Sequence, residues 1–381
     1  MSSSDPLVAF NAHLLAGDAS YRSAGISVYI DNLLRAFARQ SHGFRFQILV
    51  GEGRVPEPAA GPVLRADFST NRPERRILWE QTVLPRLLSR LQADLLHAPA
   101  FVAPIASRCA QVITVHDLSF LRYPKYFRTG NRIYLALMTG IACRRAAGVI
   151  AVSDFTGQEV TKLLKVSPER VHTVYHGVAP RFRPLPEEDV ARFRRIHGLP
   201  ERFILYMGTL EPRKNLIRLI QAFDKLRDPS LHLVLAGAKG WLYEEIFAEV
   251  ERLDLTDRVH FPGFVPDEDQ AFWYNAARVF AYVSVYEGFG MPVVEALACG
   301  APTVTASTTS LPEAGGSGVL LTPPDDVGAM ADALHRVLSD PVLRGRLREL
   351  GFAQAARFSW DTTARETAEV YRRALSGGGA A

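Results

Sequence analysis

Short apolar runs alternate with helix-period stretches from one end of the chain to the other. In the first half the runs fall at residues 7–11, 46–50, 95–97, 111–115, 148–152 and 171–174, and stretches with helical spacing lie at 25–39 and 131–145. The second half repeats the scheme, with runs at 203–207, 232–236, 259–261, 279–283 and 302–305. Its helical stretches lie at 215–226, 243–253, 267–275, 292–299 and 327–338, and a final one runs from 359 to 375. Runs rich in Val, Ile and Leu without polar alternation suit strands covered on both faces, as in parallel sheets. Strand–helix alternation sustained over this length predicts an α/β chain with two Rossmann-like domains.

Pro180, Pro184 and Pro186 follow His176-Gly177-Val178 and mark the division. Proline stiffens the chain and withholds a ladder donor, so residues 179–186 are expected to link a first domain (1–178) to a second (187–356). Ligands of open parallel sheets bind beyond the strand carboxyl ends, so two such domains facing each other would enclose a central cleft.

Composition changes this picture little, whereas charge changes it more. The chain has 381 residues, 48% of them hydrophobic, and its ends at 1–4 and 377–381 are expected to fray. Cys109, Cys143 and Cys299 show no motif spacing and predict free thiols in a reducing compartment. There is no signal-peptide pattern and no apolar run long enough to span a bilayer, which predicts a cytoplasmic protein. Residues 1–180 carry 21 Lys and Arg against 13 Asp and Glu, a balance of +8, whereas residues 181–381 carry 23 against 27. The basic half suits an anionic phospholipid surface or a polyprenyl-phosphate-linked acceptor, or it is a solvated face without a partner. Arg72, Arg75, Arg76 and the 128–145 region, with Tyr134, Leu135 and Leu137, are the residues expected to meet a membrane. No aromatic interleaving or binding module points to nucleic acid.

Two segments carry candidate chemistry. Glu287-Gly288-Phe289-Gly290-Met291-Pro292-Val293-Val294-Glu295 follows a strand and opens a helix near Pro292. The glycines allow a tight turn, and a helix tip offers free N–H donors and partial positive charge to a diphosphate. Glu287 in the loop and Glu295 one turn into the helix would meet different parts of an elongated ligand, one the sugar and one the ribose. The plainer alternative is a helix cap and a surface glutamate. Gly208-Thr209-Leu210-Glu211-Pro212-Arg213-Lys214-Asn215 places two cations after a strand, where leaving phosphates need neutralising, unless both are solvated. His116 ends a strand beside Asp117 and is either structural or functional. Asp325-Asp326 reads as a helix cap, and no Asp-x-Asp pair follows a strand to hold a metal.

Together with Ala296-Leu297-Ala298-Cys299-Gly300-Ala301-Pro302, Val115-His116-Asp117-Leu118, Val152-Ser153-Asp154-Phe155 and His176-Gly177-Val178, these segments resemble the retaining GT-B glycosyltransferases of glycosyltransferase family 4. The resemblance covers essentially the whole chain and looks closest to bacterial mannosyltransferase-like members that build polysaccharide and O-antigen chains. It implies that Arg213 and Lys214 neutralise the donor diphosphate while Glu287 lies near the hexose. The loop of Phe289, Gly290 and Met291 would touch sugar hydroxyls, ahead of Pro292. Glu295 would bind the ribose, Gly208 and Thr209 would line the donor site, and Phe264 and Val265 would pack on the nucleobase. His116 would sit near the reacting sugar from the first domain. Gly25, in Ser23-Ala24-Gly25-Ile26-Ser27-Val28-Tyr29, would occupy a glycine loop at the diphosphate or acceptor, although the family's second glycine is missing here. The terminal helix would cross back onto the first domain.

The implied activity is retaining, metal-independent transfer of a hexose, with mannose favoured. The donor would be a GDP- or UDP-hexose and the acceptor a saccharide or lipid-linked saccharide, with no cofactor. Alternatives are a nucleotide-sugar epimerase, a glycoside hydrolase using Glu287 and Glu295 as paired carboxylates, and a non-catalytic nucleotide-binding module. A dinucleotide enzyme is disfavoured because no Gly-x-Gly-x-x-Gly opens the first βα turn.

Overall fold

The computed structural model describes residues 5–15, 24–67, 69–70, 72–126 and 129–377, so the ends expected to fray (1–4 and, apart from Gly377, 377–381), Ser23 and Arg128 lie outside the described residues. The chain divides into two compact units, Met1–Gly177 with Ser359–Ala381, and Val178–Phe358. In the first, seven strands follow in sequence: β1 (Leu7–Asn11), β2 (Arg45–Val50), β3 (Val63–Arg65), β4 (Leu95–Ala98), β5 (Ala110–Val115), β6 (Gly148–Ala151) and β7 (Val171–Thr173). They pair in the order β3-β2-β1-β4-β5-β6-β7, parallel throughout. The second unit holds β8 (Phe203–Met207), β9 (His232–Ala236), β10 (Val259–Gly263), β11 (Val279–Tyr282), β12 (Thr303–Ala306) and β13 (Val319–Thr322). Their order is β10-β9-β8-β11-β12-β13, also parallel.

Both sheets begin in the middle, grow to one side and then reverse to grow to the other. The reversal creates a topological switch point, where loops from neighbouring strands diverge and leave a crevice at the carboxyl edge. It lies between β1 and β4 in the first unit and between β8 and β11 in the second. The central strands β8, β9 and β11 are buried almost end to end, in keeping with their apolar runs.

Several elements go beyond the periodicity. β3 and β13 are edge strands, and β3 is exposed at Val63 and Arg65. Helices also form at Pro73–Leu78, Leu84–Leu91, Asp154–Leu164, Glu187–Ile196 and Pro341–Ala355. Ser153 caps the third of these by accepting the Thr156 N–H at 3.0 Å. Residues 179–186, expected as a linker, fold onto the second unit: Phe182 is buried against Tyr274, and Asn275 bonds Arg183 O and the Leu185 N–H. Gly25, expected in a loop, lies in the first turn of the Ala24–Arg39 helix.

The terminal helix Trp360–Ser376 belongs to the first unit and is part of its core. Trp360, Ala364, Ala368 and Tyr371 are buried, and Tyr371 Oη lies 2.6 Å from His97 Nδ1 on β4. His97 continues to Thr114 Oγ1 on β5 at 2.9 Å, and Thr114 to Tyr29 Oη at 3.1 Å. Burial, with a smaller push from His116, holds the His97 imidazole down at about 3, so this chain of hydrogen bonds is neutral. All three cysteines are free thiols. Among the described residues no helix is long and apolar enough to cross a membrane.

Candidate active site

The two sequence-predicted segments leave the carboxyl ends of β8 and β11, the neighbours that flank the second unit's switch point. After β8 the backbone turns at Gly208, with φ of 150°, and a Cβ there would lie 2.8 Å from Tyr206 Oη. Tyr206 in turn donates to the carbonyl of Thr209 at 2.9 Å, which pins the turn. Pro212–Lys214 forms one 3-10 turn, and the carbonyl of Arg213 accepts the Val285 N–H at 3.0 Å, tying the two loops together. Asn215 adopts a left-handed conformation, φ 63°, which asparagine tolerates better than most residues. Its amide donates to Val283 O and Pro324 O at 3.0 and 2.6 Å.

This scaffold gathers four charges. Lys214 Nζ donates to Glu287 Oε1 at 2.6 Å and to Tyr282 Oη at 2.9 Å. Arg213 Nη1 donates to Glu287 Oε2 at 3.1 Å and to Tyr286 O at 2.8 Å, while its Nη2 lies 2.8 Å from Glu211 Oε1. Glu287 and Lys214 are each only 7% exposed. Burial alone would raise the Glu287 pKa, but the adjacent Lys214 and Arg213 charges outweigh it and hold the carboxyl at about 2. Glu287 is therefore a fixed hydrogen-bond acceptor at any working pH and not a proton donor. Two cations balance two carboxylates, so the cations are held in place before any ligand arrives.

The loop from Glu287 leads to a helix tip. The Glu287 N–H donates to Thr309 Oγ1 at 3.3 Å, and Ser310 Oγ donates to the carbonyls of Glu287 and Phe289 at 2.9 and 3.0 Å. Gly290, φ 103°, precedes the helix Met291–Ala298, with Pro292 in its first turn. A Cβ on Gly290 would meet Leu311 Cδ2 at 2.7 Å. Gly290→Ala thus combines a disfavoured φ with a clash, and is expected to cost about 2 kcal/mol in urea denaturation.

Glu295 lies farther along that helix, where it accepts a hydrogen bond from Tyr274 Oη at 3.0 Å. Burial pushes its carboxyl up to about 7 against the pull of Arg181 and Tyr274. Phe289 is buried edge-on to Phe358, and Met291 and Pro292 are half-buried. Phe264, just beyond β10, is 46% exposed, whereas its neighbour Val265 is buried. His116 and Gly25 belong to the other unit. His116 Nε2 donates to Pro99 O at 2.7 Å, which leaves Nδ1 as the acceptor nitrogen. Burial keeps its imidazole neutral, down at about 4, against the opposing pull of the Pro99 carbonyl and Asp117.

The structure thus unites Arg213, Lys214 and Glu287 directly and places Gly208, Thr209, Phe289 and Gly290 in the loops around them. Glu211, Asn215 and Tyr282 had no assigned role. Glu211 and Asn215 stand inside the quoted motif, but their function depends on partners roughly 70 to 110 residues away or on burial, which spacing does not reveal. Asp326 caps the Val327–Ser339 helix by accepting the Ala329 N–H at 2.9 Å, as its sequence context predicts. Among the described residues no group of three or more His, Cys, Asp or Glu is arranged to hold a metal ion.

Comparison with known proteins accounts for both units. Residues 23–182 match the family model described as Glycosyltransferase Family 4, and residues 189–354 match that of the glycosyl transferases group 1. The O-antigen chain mannosyltransferase B of Escherichia coli is 34% identical over 283 residues, which cover 72% of this chain and 73% of that protein. The serotype-specific mannosyltransferase WbdA of the same organism is 32% identical over 272 residues, covering 69% of this chain but 33% of WbdA. Among solved structures, the sucrose-phosphate synthase of Thermosynechococcus elongatus superposes with a TM-score of 0.81 at 21% identity, over 98% of this chain and all of that one. Anabaena HepE in complex with UDP and glucose gives 0.76, also at 21% identity, over 96% and 99% of the two chains. Shared sequence across both halves, carried on the GT-B fold of two parallel-sheet units, makes this chain a member of glycosyltransferase family 4.

Proposed function

We propose that this hexosyltransferase moves mannose from a nucleotide-sugar to a saccharide or lipid-linked acceptor, with retention at the anomeric carbon and without a metal ion. The observation that carries the reading is the buried Lys214–Glu287–Arg213 network at the second unit's switch point. The bond from the anomeric carbon to the diphosphate oxygen breaks as the acceptor oxygen bonds to the same face. The acceptor hydroxyl's proton passes to the departing phosphate. Arg213, Lys214 and the N–H groups at the Met291 helix tip stabilise the charge that develops on that phosphate. This is the task a divalent ion performs in other transferases. Glu287, permanently ionised, orients hexose hydroxyls, and its two cations fix its rotamer.

Glu295 is assigned to the ribose, Phe264 and Val265 to the base, and Gly208 and Thr209 to the diphosphate turn. His116 is assigned to the reacting sugar. The mannosyltransferase relatives support mannose, and hence GDP-mannose as the favoured donor, whereas the UDP in the HepE structure keeps UDP-hexoses in the test. A nucleotide-release screen across GDP- and UDP-sugars with excess chelator checks donor and metal together. Activity abolished by chelator would overturn the metal-free reading, and a β-linked product from an α-linked donor would overturn retention. The epimerase and the non-catalytic module predict no transfer product at all.

A pH dependence follows from Glu295. Its carboxyl is held up at about 7 in the free protein, and ribose hydroxyls donating to it favour the ionised form. Nucleotide binding at pH 6 is therefore expected to release close to one proton, and at pH 9 none. Calorimetry in buffers of different ionisation enthalpy measures this, and Glu295→Gln should abolish the release.

Membrane contact forms part of the proposal. Leu78, Ile133 and Leu137 are exposed on the first unit, as are Arg72 and Arg75, whereas Leu135 packs against the core. Co-sedimentation with anionic vesicles at low salt, lost in Ile133→Glu/Leu137→Glu, is the expected result.

A further inference from the structure

Thr309 and Ser310 lie outside both charged segments, between β12 and the short helix Leu311–Gly315, yet they hold the backbone of the Glu287 loop. Ser310 stands at the cap position of that helix, where a serine oxygen ordinarily accepts a first-turn N–H. Its hydroxyl makes no such bond. Instead it donates, shared between Glu287 O at 2.9 Å and Phe289 O at 3.0 Å, from a fully buried position. Thr309 Oγ1 accepts the Glu287 N–H at 3.3 Å. Glu287 is thus fixed at both ends. Lys214 and Arg213 grip its carboxylate, and Thr309 and Ser310 grip its main chain.

The backbone of Thr309 is left-handed, with φ of 60°. A β-branched residue seldom adopts that conformation, because its Cβ crowds the neighbouring carbonyl, whereas glycine adopts it freely. Such strain persists where the surrounding structure imposes it, and it clusters at functional sites. Here the strained residue is the one whose hydroxyl meets the Glu287 N–H, and the next residue is the one that collects two carbonyls.

That pair of carbonyls sets the polarity of the loop. In a trans peptide the C=O and the following N–H point in opposite directions. The cis peptide among the described residues is Glu57–Pro58, so the loop peptides are trans. With the carbonyls of Glu287 and Phe289 turned to Ser310, the N–H groups of Gly288 and Gly290 are turned to the side away from it. The loop offers two donors on that side, where flipped peptides would offer acceptors, and the Glu287 carboxylate supplies the acceptor. Sugar hydroxyls both donate and accept, so they call for both kinds of partner. We propose that Ser310, with Thr309, is a positioning residue for hexose transfer, holding the Glu287–Gly290 loop in the peptide orientation that meets hexose hydroxyls with N–H donors.

The inference rests on the transferase reading, and its test separates the two. The full chain is assayed with α-mannobiose as acceptor and whichever GDP- or UDP-sugar the wild type turns over fastest. Ser310→Ala frees two peptides to flip and is expected to lower kcat about ten-fold or more. Affinity for GDP or UDP without a sugar, by calorimetry, should stay within about two-fold of wild type, since Arg213 and Lys214 are untouched. Thr309→Gly removes the strain and the hydroxyl together. Its urea midpoint should match or exceed that of the wild type while kcat falls about three-fold or more, a split that a merely structural role does not produce. This variant decides the question even where Ser310→Ala fails to fold. A kcat within about two-fold of wild type in the folded variants would overturn the positioning role. So would a bare-nucleotide affinity, or a urea midpoint in Thr309→Gly, that falls in step with kcat. If the wild type transfers hexose from none of the donors, the transferase reading fails and takes this role with it.

Discussion

Lys214→Met is expected to lower the rate of hexose transfer about 10²–10³-fold, the usual effect of removing one preorganised donor from a developing oxyanion. It should also destabilise the second unit by about 3 kcal/mol, because Glu287 and Glu211 then share Arg213 as their one cation. Glu287→Gln leaves the opposite imbalance, two cations on one carboxylate. The double variant Lys214→Met/Glu287→Gln restores neutrality around the Glu211–Arg213 pair. Urea denaturation should find it more stable than either single variant while transfer stays lost. Additive destabilisation would show that the four charges do not act as a unit.

The same network sets an acid limit. The Glu287 pKa is held down at about 2, against an ordinary 4.5, so its stabilisation is complete above pH 4.5 and disappears as pH falls through 2. In Lys214→Met that loss should be smaller and complete at higher pH, since one of the two cations holding the carboxyl down is gone.

The second large effect concerns the terminal helix. Tyr371→Ala is expected to destabilise the first unit by about 4 kcal/mol, the cost of emptying a buried aromatic site. It also leaves His97 Nδ1 without its partner. Tyr371→Phe keeps the ring and should cost about 1 kcal/mol. Because the two units need not unfold together, hydrogen exchange resolved along the chain is the right measurement. Protection should fall in β4, β5 and β6, while the strands of the second unit stay protected. Uniform loss across both units would contradict the assignment of residues 360–376 to the first.

The strands that were legible are the ones buried on both faces. β8, β9 and β11 announce themselves as unbroken apolar runs because nothing in their position calls for a polar side chain. β3 escaped for the converse reason. An edge strand with one open flank needs few apolar residues, and Val63-Leu64-Arg65 offers too short and mixed a pattern to stand out. The helical segments from Pro73 to Leu91 were hidden by the π-turn at Trp79–Val83, which shifts the helix phase and breaks the regular apolar spacing. In the candidate site, Arg213, Lys214 and Glu287 could be named because each stands in a short segment that follows a strand and contains glycine and proline.

By itself, the sequence determined the α/β class, the two-unit plan and which two loops of the second unit hold charged chemistry, since these follow from local periodicity and from residues adjacent in the chain. Only the tertiary structure decided that Lys214 and Arg213 close on Glu287, that Glu211 balances them, and that Ser310 holds the Glu287 loop. It also decided that the terminal helix completes the first unit's core. Charge pairing and burial depend on distances between residues far apart in the chain, and those distances exist only once parallel strands have set their order and register.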